Sequence, residues 1–149
     1  MILIGLPAAG KTSFYRERFA ATHVHISKDV IRRARRPARR QEQLAAEALH
    51  SGRPVVIDNT NASAAVRAPL IALARSHGAE VIGYYFRTEA ADALRRNRGR
   101  EGRERVPDVA IFTIGKQLEP PSVGEGFDRL FTVRLSEEAR TFAVEHYSR

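Results

Sequence analysis

Cysteine is absent from this chain of 149 residues. That excludes disulfide staples and thiolate metal centres, and it suits a reducing, cytoplasmic setting. No apolar run approaches the ~20 residues that a membrane span requires. The amino-terminal stretch lacks a charged leader and is interrupted at once by Gly, Pro and Lys, unlike a secretory signal. No internal repeat, low-complexity tract or long linker divides the chain, so its length predicts one domain, residues 1–149, with one sizeable core. Acidic residues are scarce as well: 17 Asp and Glu stand against 25 Lys and Arg, a net charge of +8. Such an excess favours an anionic partner, nucleic acid before membrane, although a uniformly Arg-rich background composition also produces it.

What is present alternates. Apolar, β-branched runs at 2–5, 23–27, 54–58, 80–86 and 129–135 predict five strands. Between them stand helical patterns: "KTSFYRERFAA", "RRQEQLAAEALHSG" stopped by Gly52, and "SAAVRAPLIALARSHG" with Ser63 as cap and Gly78 as stop. "TEAADALRRN" and "VPDVAIFTIGKQL" bracket an Arg-rich loop, "EPPSVGEGF" reads as loop, and "SEEARTFAVEHY" closes the chain. Strand–helix alternation implies parallel strands joined by crossover helices. The expected fold is therefore α/β, a doubly wound five-stranded parallel sheet with helices on both faces. Its ligands should sit at the carboxyl ends of the strands.

The first strand runs into Gly5-Leu6-Pro7-Ala8-Ala9-Gly10-Lys11-Thr12, which fits G-x-x-x-x-G-K-[ST], the P-loop. Backbone N–H groups must curl there into an anion-binding concavity, so Gly is needed where the chain turns sharply and phosphate comes close. The helix that begins at Lys11 adds the positive end of its dipole. Lys11 would reach the β- and γ-phosphates of ATP or another NTP. Thr12 would offer its hydroxyl to Mg²⁺, with Ser13 beside it. Gly5, Ala8, Ala9, Gly10, Lys11, Thr12 and Ser13 are thus the expected nucleotide-binding set, with Ala8 standing where many kinases carry a third Gly.

A P-loop alone does not separate a kinase from a GTPase or a motor. At the end of the second strand, "HISKDVIRR" places Asp29 where a carboxylate can orient an acceptor hydroxyl and take its proton. Arg32, one helical turn on, would share its face and bind a phosphate; the alternative is that Asp29 only caps the helix it starts. The third strand ends "VVIDNTN", where Asp58 resembles a Walker B carboxylate or belongs to a plain turn. "LRRNRGREGRERVP", with six arginines, reads as a mobile lid over about residues 95–107, or as a solvated loop. One or two of Arg95, Arg96, Arg98, Arg100, Arg103 and Arg105 would neutralise charge on the triphosphate.

"GLPAAGKTS", "HISKD" with Arg32, "VVIDNTN", "RRNRGR…RVP" and "GKQLEPPSVGEGF" together resemble the kinase domain of polynucleotide 5′-hydroxyl kinases, in both the phage enzyme and the animal DNA-repair enzyme. The resemblance runs from Ile2 to about Leu135. It implies that Lys11 and Thr12 bind ATP phosphates and Mg²⁺, that Asp29 is the general base and Arg32 its partner, and that Asp58 is essential. It also implies that Arg100 is the lid arginine, with Arg98 or Arg103 as substitutes because the loop here is longer. Family members often carry a phosphatase domain marked D-x-D-G-[ST]; this sequence has no D-x-D, so removal of 3′-phosphate is not expected.

Six arginines crowd the nine residues from Arg32 to Arg40, and Pro37 keeps them from forming one continuous helix. A single strand of DNA or RNA ending in a 5′-OH would bind Arg32, Arg35, Arg36, Arg39 and Arg40 through its backbone phosphates; a solvated charged face is the alternative. Three functions remain open: a polynucleotide kinase, a small-molecule kinase acting on a nucleoside, sugar or antibiotic, and an ATP-dependent switch without catalysis.

Overall fold

The computed structural model of the protein describes residues 1–147, the side chain of Arg103 excepted. Along the chain the elements are β1 (Ile2–Ile4), α1 (Lys11–Arg18), β2 (Val24–Ile26), α2 (Pro37–His50), β3 (Val55–Asp58), α3 (Ala64–Ser76), β4 (Ile82–Phe86), α4 (Ala90–Arg98), α5 (Asp108–Gln117), β5 (Arg129–Ser136) and β6 (Thr141–His146). Short 3₁₀ turns at Gly102–Glu104 and Val123–Glu125 flank α5. Every residue of β1 and β3 is buried, which continuous apolar runs allow only when both faces of the sheet are covered. Side-chain alternation then divides the core. Ile2, Ile4, Ile26, Val55 and Ile57 pack with Ala45 and Ala48 of α2 and Leu70 and Ile71 of α3. Leu3, Val56, Ile82, Tyr84 and Phe86 pack with Phe14 of α1, Ala93 of α4 and Ile111 of α5.

The strand order is β2-β3-β1-β4-β5-β6, and β1 pairs in parallel with both β3 and β4. The chain leaves β1 toward one edge and returns from β3 to the other side, so the crevice at the end of β1 is a topological switch point. The loop after β1 occupies that crevice. Phe14 anchors the helix that follows, its ring 5.2–5.5 Å from Phe19, Tyr84, Phe86 and Phe142.

Two expectations need correction. The sheet has six strands rather than five, because the closing segment supplies β6, which pairs antiparallel with β5 from Phe131↔His146 to Ser136↔Thr141. Phe142 and Val144 alternate along it and pack on the second core, a short period-2 signal hidden behind the helix-favouring "EEAR" that forms the turn. Residues 28–36 form turns and bends, not a helix, so Arg32 is not one helical turn above Asp29. Pro37 opens α2 as its first residue and drives Arg36 to φ −132°, ψ 83°. The arginines before it also repel one another. Ser63 caps α3 as expected, accepting from the Val66 N–H, and Gly78 follows that helix at φ +69°. No helix among the described residues is long and apolar enough to cross a membrane.

Candidate active site

The loop between β1 and α1 is shaped by two left-handed residues, Ala8 at φ +62° and Gly10 at φ +96°. Ala8 bears a Cβ in a region that favours glycine, which is the cost of its departure from the three-glycine pattern. Gly10 faces the ring of Phe142 so closely that an added Cβ would lie 3.2 Å from Cε1, so the β5–β6 hairpin backs the loop. At the loop's entrance the Gly5 N–H donates to Thr60 O at 3.0 Å. The first turn of α1 then leaves the N–H groups of Lys11, Thr12 and Ser13 without intrahelical acceptors, as in any helix, and these are ready donors for an anion.

Lys11 is only 8% exposed, and its ammonium folds back to donate to Gly5 O (3.0 Å) and Leu6 O (2.6 Å). Burial lowers its pKa to about 8; Asp58 and Asp29 pull it up and Arg100 pushes it down. The fields of Asp29, Asp58 and Arg100 therefore converge on this lysine. The Thr12 hydroxyl donates to Asp58 Oδ2 at 2.7 Å, and His25 Nε2 lies 2.8 Å from the same oxygen. A carboxylate only accepts, so Nε2 carries the proton. Burial pushes the Asp58 carboxyl up, but the bonds from His25 and Thr12 and the charge of Lys11 outweigh this and hold it below the usual carboxylate value.

Thr12 and Asp58 fit Mg²⁺. The cation takes oxygen ligands, uses few protein groups and keeps most of its shell for phosphate and water. A threonine whose hydrogen goes to Asp58 still keeps its oxygen lone pairs for a cation.

Asp29 is exposed on the turn after β2, its N–H donating to Ser27 Oγ at 3.2 Å. That turn is fastened from beneath. The Lys28 N–H donates to Asn59 Oδ1 (2.8 Å), and Asn59 Nδ2 donates to the buried Gln41 Oε1 (2.6 Å). Arg96 reaches the loop at Ala8 O (3.5 Å) while its Nε donates to Glu137 (2.8 Å); Arg100 Nη1 donates to Glu104 O (3.0 Å). Arg98 is exposed, and the side chain of Arg103 lies outside the described residues. Ser13 is exposed on α1 and Arg32 on the turn. Arg35, Arg36, Arg39 and Arg40 line a separate surface cavity of about 320 Å³ with Ala34 and Gln43. Among the described residues these arginines have no carboxylate partner.

Sequence reasoning missed several supporting residues. His25 stacks on Tyr15 at 4.2 Å with the rings 14° apart. Arg67 is 0% exposed, forks onto both Glu125 oxygens (2.8 and 3.1 Å), and donates to Asn61 O and Glu119 O. Its spacing with Leu70, Ile71 and Ala74 put it on the apolar stripe of α3, a signal that a buried partner had to exist. Asn61, left-handed at φ +44°, donates to Leu3 O at 2.7 Å. Together they brace the loop that follows Asp58.

The family described as AAA domain (AAA_33) matches residues 1–121. Among solved structures, a gluconokinase from Sinorhizobium meliloti 1021 superposes with a TM-score of 0.63 at 20% identity, over 91% of this chain and 82% of that one. Kti12 from Chaetomium thermophilum, in complex with ADP-AlF3, gives 0.63 at 19% identity over 93% and 91%. A fungal RNA kinase gives 0.68 at 18% identity over 91% of this chain but 38% of its own. At these identities the likeness is one of fold, that of an α/β P-loop kinase.

Proposed function

This chain belongs to the AAA domain family, and on that premise we propose that it is an ATP-dependent polynucleotide kinase that moves the γ-phosphate to a 5′-hydroxyl end of DNA or RNA. The observation that carries the acceptor class is the arginine cluster, without carboxylate partners among the described residues, and its cavity, only a few residues along the chain from Asp29. Arginines without carboxylate partners keep their charge available to phosphates spaced along a strand.

In this reading the loop N–H groups and Lys11 hold the triphosphate. Lys11 exchanges its two carbonyl partners for phosphate oxygens. Asp29, exposed and within the field of Lys11, accepts the proton of the 5′-hydroxyl as its oxygen bonds to the γ-phosphorus. The bond from that phosphorus to the β-bridging oxygen breaks and ADP leaves. Mg²⁺, held by Thr12 and Asp58, would neutralise charge on the β- and γ-phosphates. Arg96 and Arg100 approach the same oxygens from the lid side.

A small hydroxyl acceptor is the second reading, favoured by the separation of the arginine cavity from Asp29, which does not line it. Incubation with γ-labelled ATP, Mg²⁺ and a panel of 5′-OH oligonucleotides, nucleosides and sugars tests both. Label on oligonucleotides is expected. Label on a sugar or nucleoside alone moves the assignment to the second reading.

A further inference from the structure

We propose that His25 is a positioning residue that sets the orientation of Asp58 and through it the metal-binding pair of the P-loop. The inference rests on the reading of Thr12 and Asp58 as that pair. Both hydrogen bonds to the Asp58 carboxylate, from Thr12 at 2.7 Å and His25 at 2.8 Å, fall on Oδ2. Among the described residues Oδ1 accepts none, so two donors on one oxygen fix the plane of the carboxylate and leave the other oxygen as its open acceptor.

The imidazole is itself held from behind. Its ring lies flat on Tyr15, 4.2 Å away, and the Tyr15 hydroxyl donates to the carbonyl of His23, two residues before it on the same chain segment. Tyr15 belongs to α1, His25 to β2 and Asp58 to β3. The P-loop helix thus grips Asp58 twice, directly through Thr12 and indirectly through Tyr15 and His25. Without His25, the buried carboxylate keeps one neutral donor and is free to rotate about its last torsion.

Stacking and hydrogen bonding can be separated by substitution. His25→Phe keeps a ring against Tyr15 and removes the donor; His25→Gln keeps an N–H at similar reach and removes the ring. The readout is the affinity for a fluorescent ATP analogue with saturating Mg²⁺ and again in EDTA, alongside a thermal melt. Loss of an outer-shell partner typically weakens a metal site about 10-fold or more. His25→Phe is therefore expected to lose about that much of the Mg²⁺-dependent gain while its affinity in EDTA stays within about twofold. His25→Gln should keep most of the gain.

The inference is overturned if folded His25→Phe shows the wild-type gain, or if His25→Gln falls as far as His25→Phe. Equal losses with and without Mg²⁺ overturn it too, since they mark a purely structural role. Should His25→Phe not fold, His25→Leu, which also removes the donor, and Asp58→Asn with their double variant decide it. A loss of the Mg²⁺-dependent gain in His25→Leu that disappears in the Asp58→Asn background supports the coupling. A His25→Leu loss that is undiminished in the Asp58→Asn background overturns it. A wild-type chain that binds ATP with no Mg²⁺-dependent gain overturns the reading of the pair, and this inference with it.

Discussion

Lys11 is held in a position where burial opposes its charge, and its pKa of about 8 follows from that. Bound phosphate supplies the anionic partner that the loop carbonyls only imitate, so the complex draws the pKa back up. Below pH 8 the lysine is already protonated and nucleotide affinity should be flat. Above pH 8 binding must take up a proton, and affinity should fall by up to about tenfold per unit. Titrations with ATP from pH 7 to 9.5 check this, and Lys11→Arg, which does not titrate there, should remove the slope. The same shift makes the free protein gain stability as pH rises from about 8 toward 10.5, because the unfolded chain then binds more protons than the folded one. Asp29 makes a different prediction. Asp29→Asn keeps the shape of an exposed side chain but cannot accept a proton, so ATP binding should persist while transfer falls about 100-fold or more. A drop in ATP affinity instead would move Asp29 to the phosphate or metal side.

Among the elements, α3 bears on the site without reaching it. Its Arg67 holds Asn61 O, Glu119 O and the Glu125 carboxylate, and so links the loop after β3 to the loop before β5. Arg67→Ala leaves Glu125 and two carbonyls short of donors and should cost about 3 kcal/mol or more in urea unfolding. Arg67→Lys should recover little, because a single ammonium cannot reproduce the fork. Replacing the pair together, Arg67→Met with Glu125→Leu, should recover much of the loss, since no unpaired charge remains. If Arg67→Ala unfolds like the wild type, the strap carries no load.

Across the whole molecule, the +8 net charge is distributed unevenly enough to be tested. Arg35, Arg36, Arg39 and Arg40, without carboxylate partners among the described residues, form one surface, and each exposed contact with a phosphate is modest alone. Together they should set the acceptor KM and make it rise steeply between about 50 and about 200 mM salt. Replacing all four by Gln should raise KM for an oligonucleotide far more than for a mononucleoside 3′-phosphate, with ATP affinity nearly unchanged. A salt-independent KM would point to a small acceptor.

Local chemistry was enough for the P-loop at 5–12, the Ser63 cap, the Gly78 stop and the parallel strands through β5, because each depends on neighbours in sequence. A left-handed turn needs its glycine, a cap its hydroxyl, and a strand buried on both faces an apolar run. The sheet edge was not legible in this way. β6 offers only Phe142 and Val144 as inward residues, and it became a strand because β5 presented an open ladder beside it. The turns at 28–36 likewise depend on Pro37 opening α2, where the arginines alone would have allowed a helix. The site shows the same division. Lys11, Thr12, Asp29 and Asp58 could be singled out by motif, but Thr12 and Asp58 are 46 residues apart and His25 and Asp58 are 33 apart. Their contacts exist only because the sheet places β3 between β1 and β2. Sequence determined which groups the protein has for phosphate chemistry; tertiary structure decided which of them share an oxygen, because hydrogen bonds act over about 3 Å and strand order alone sets which chain ends come that close.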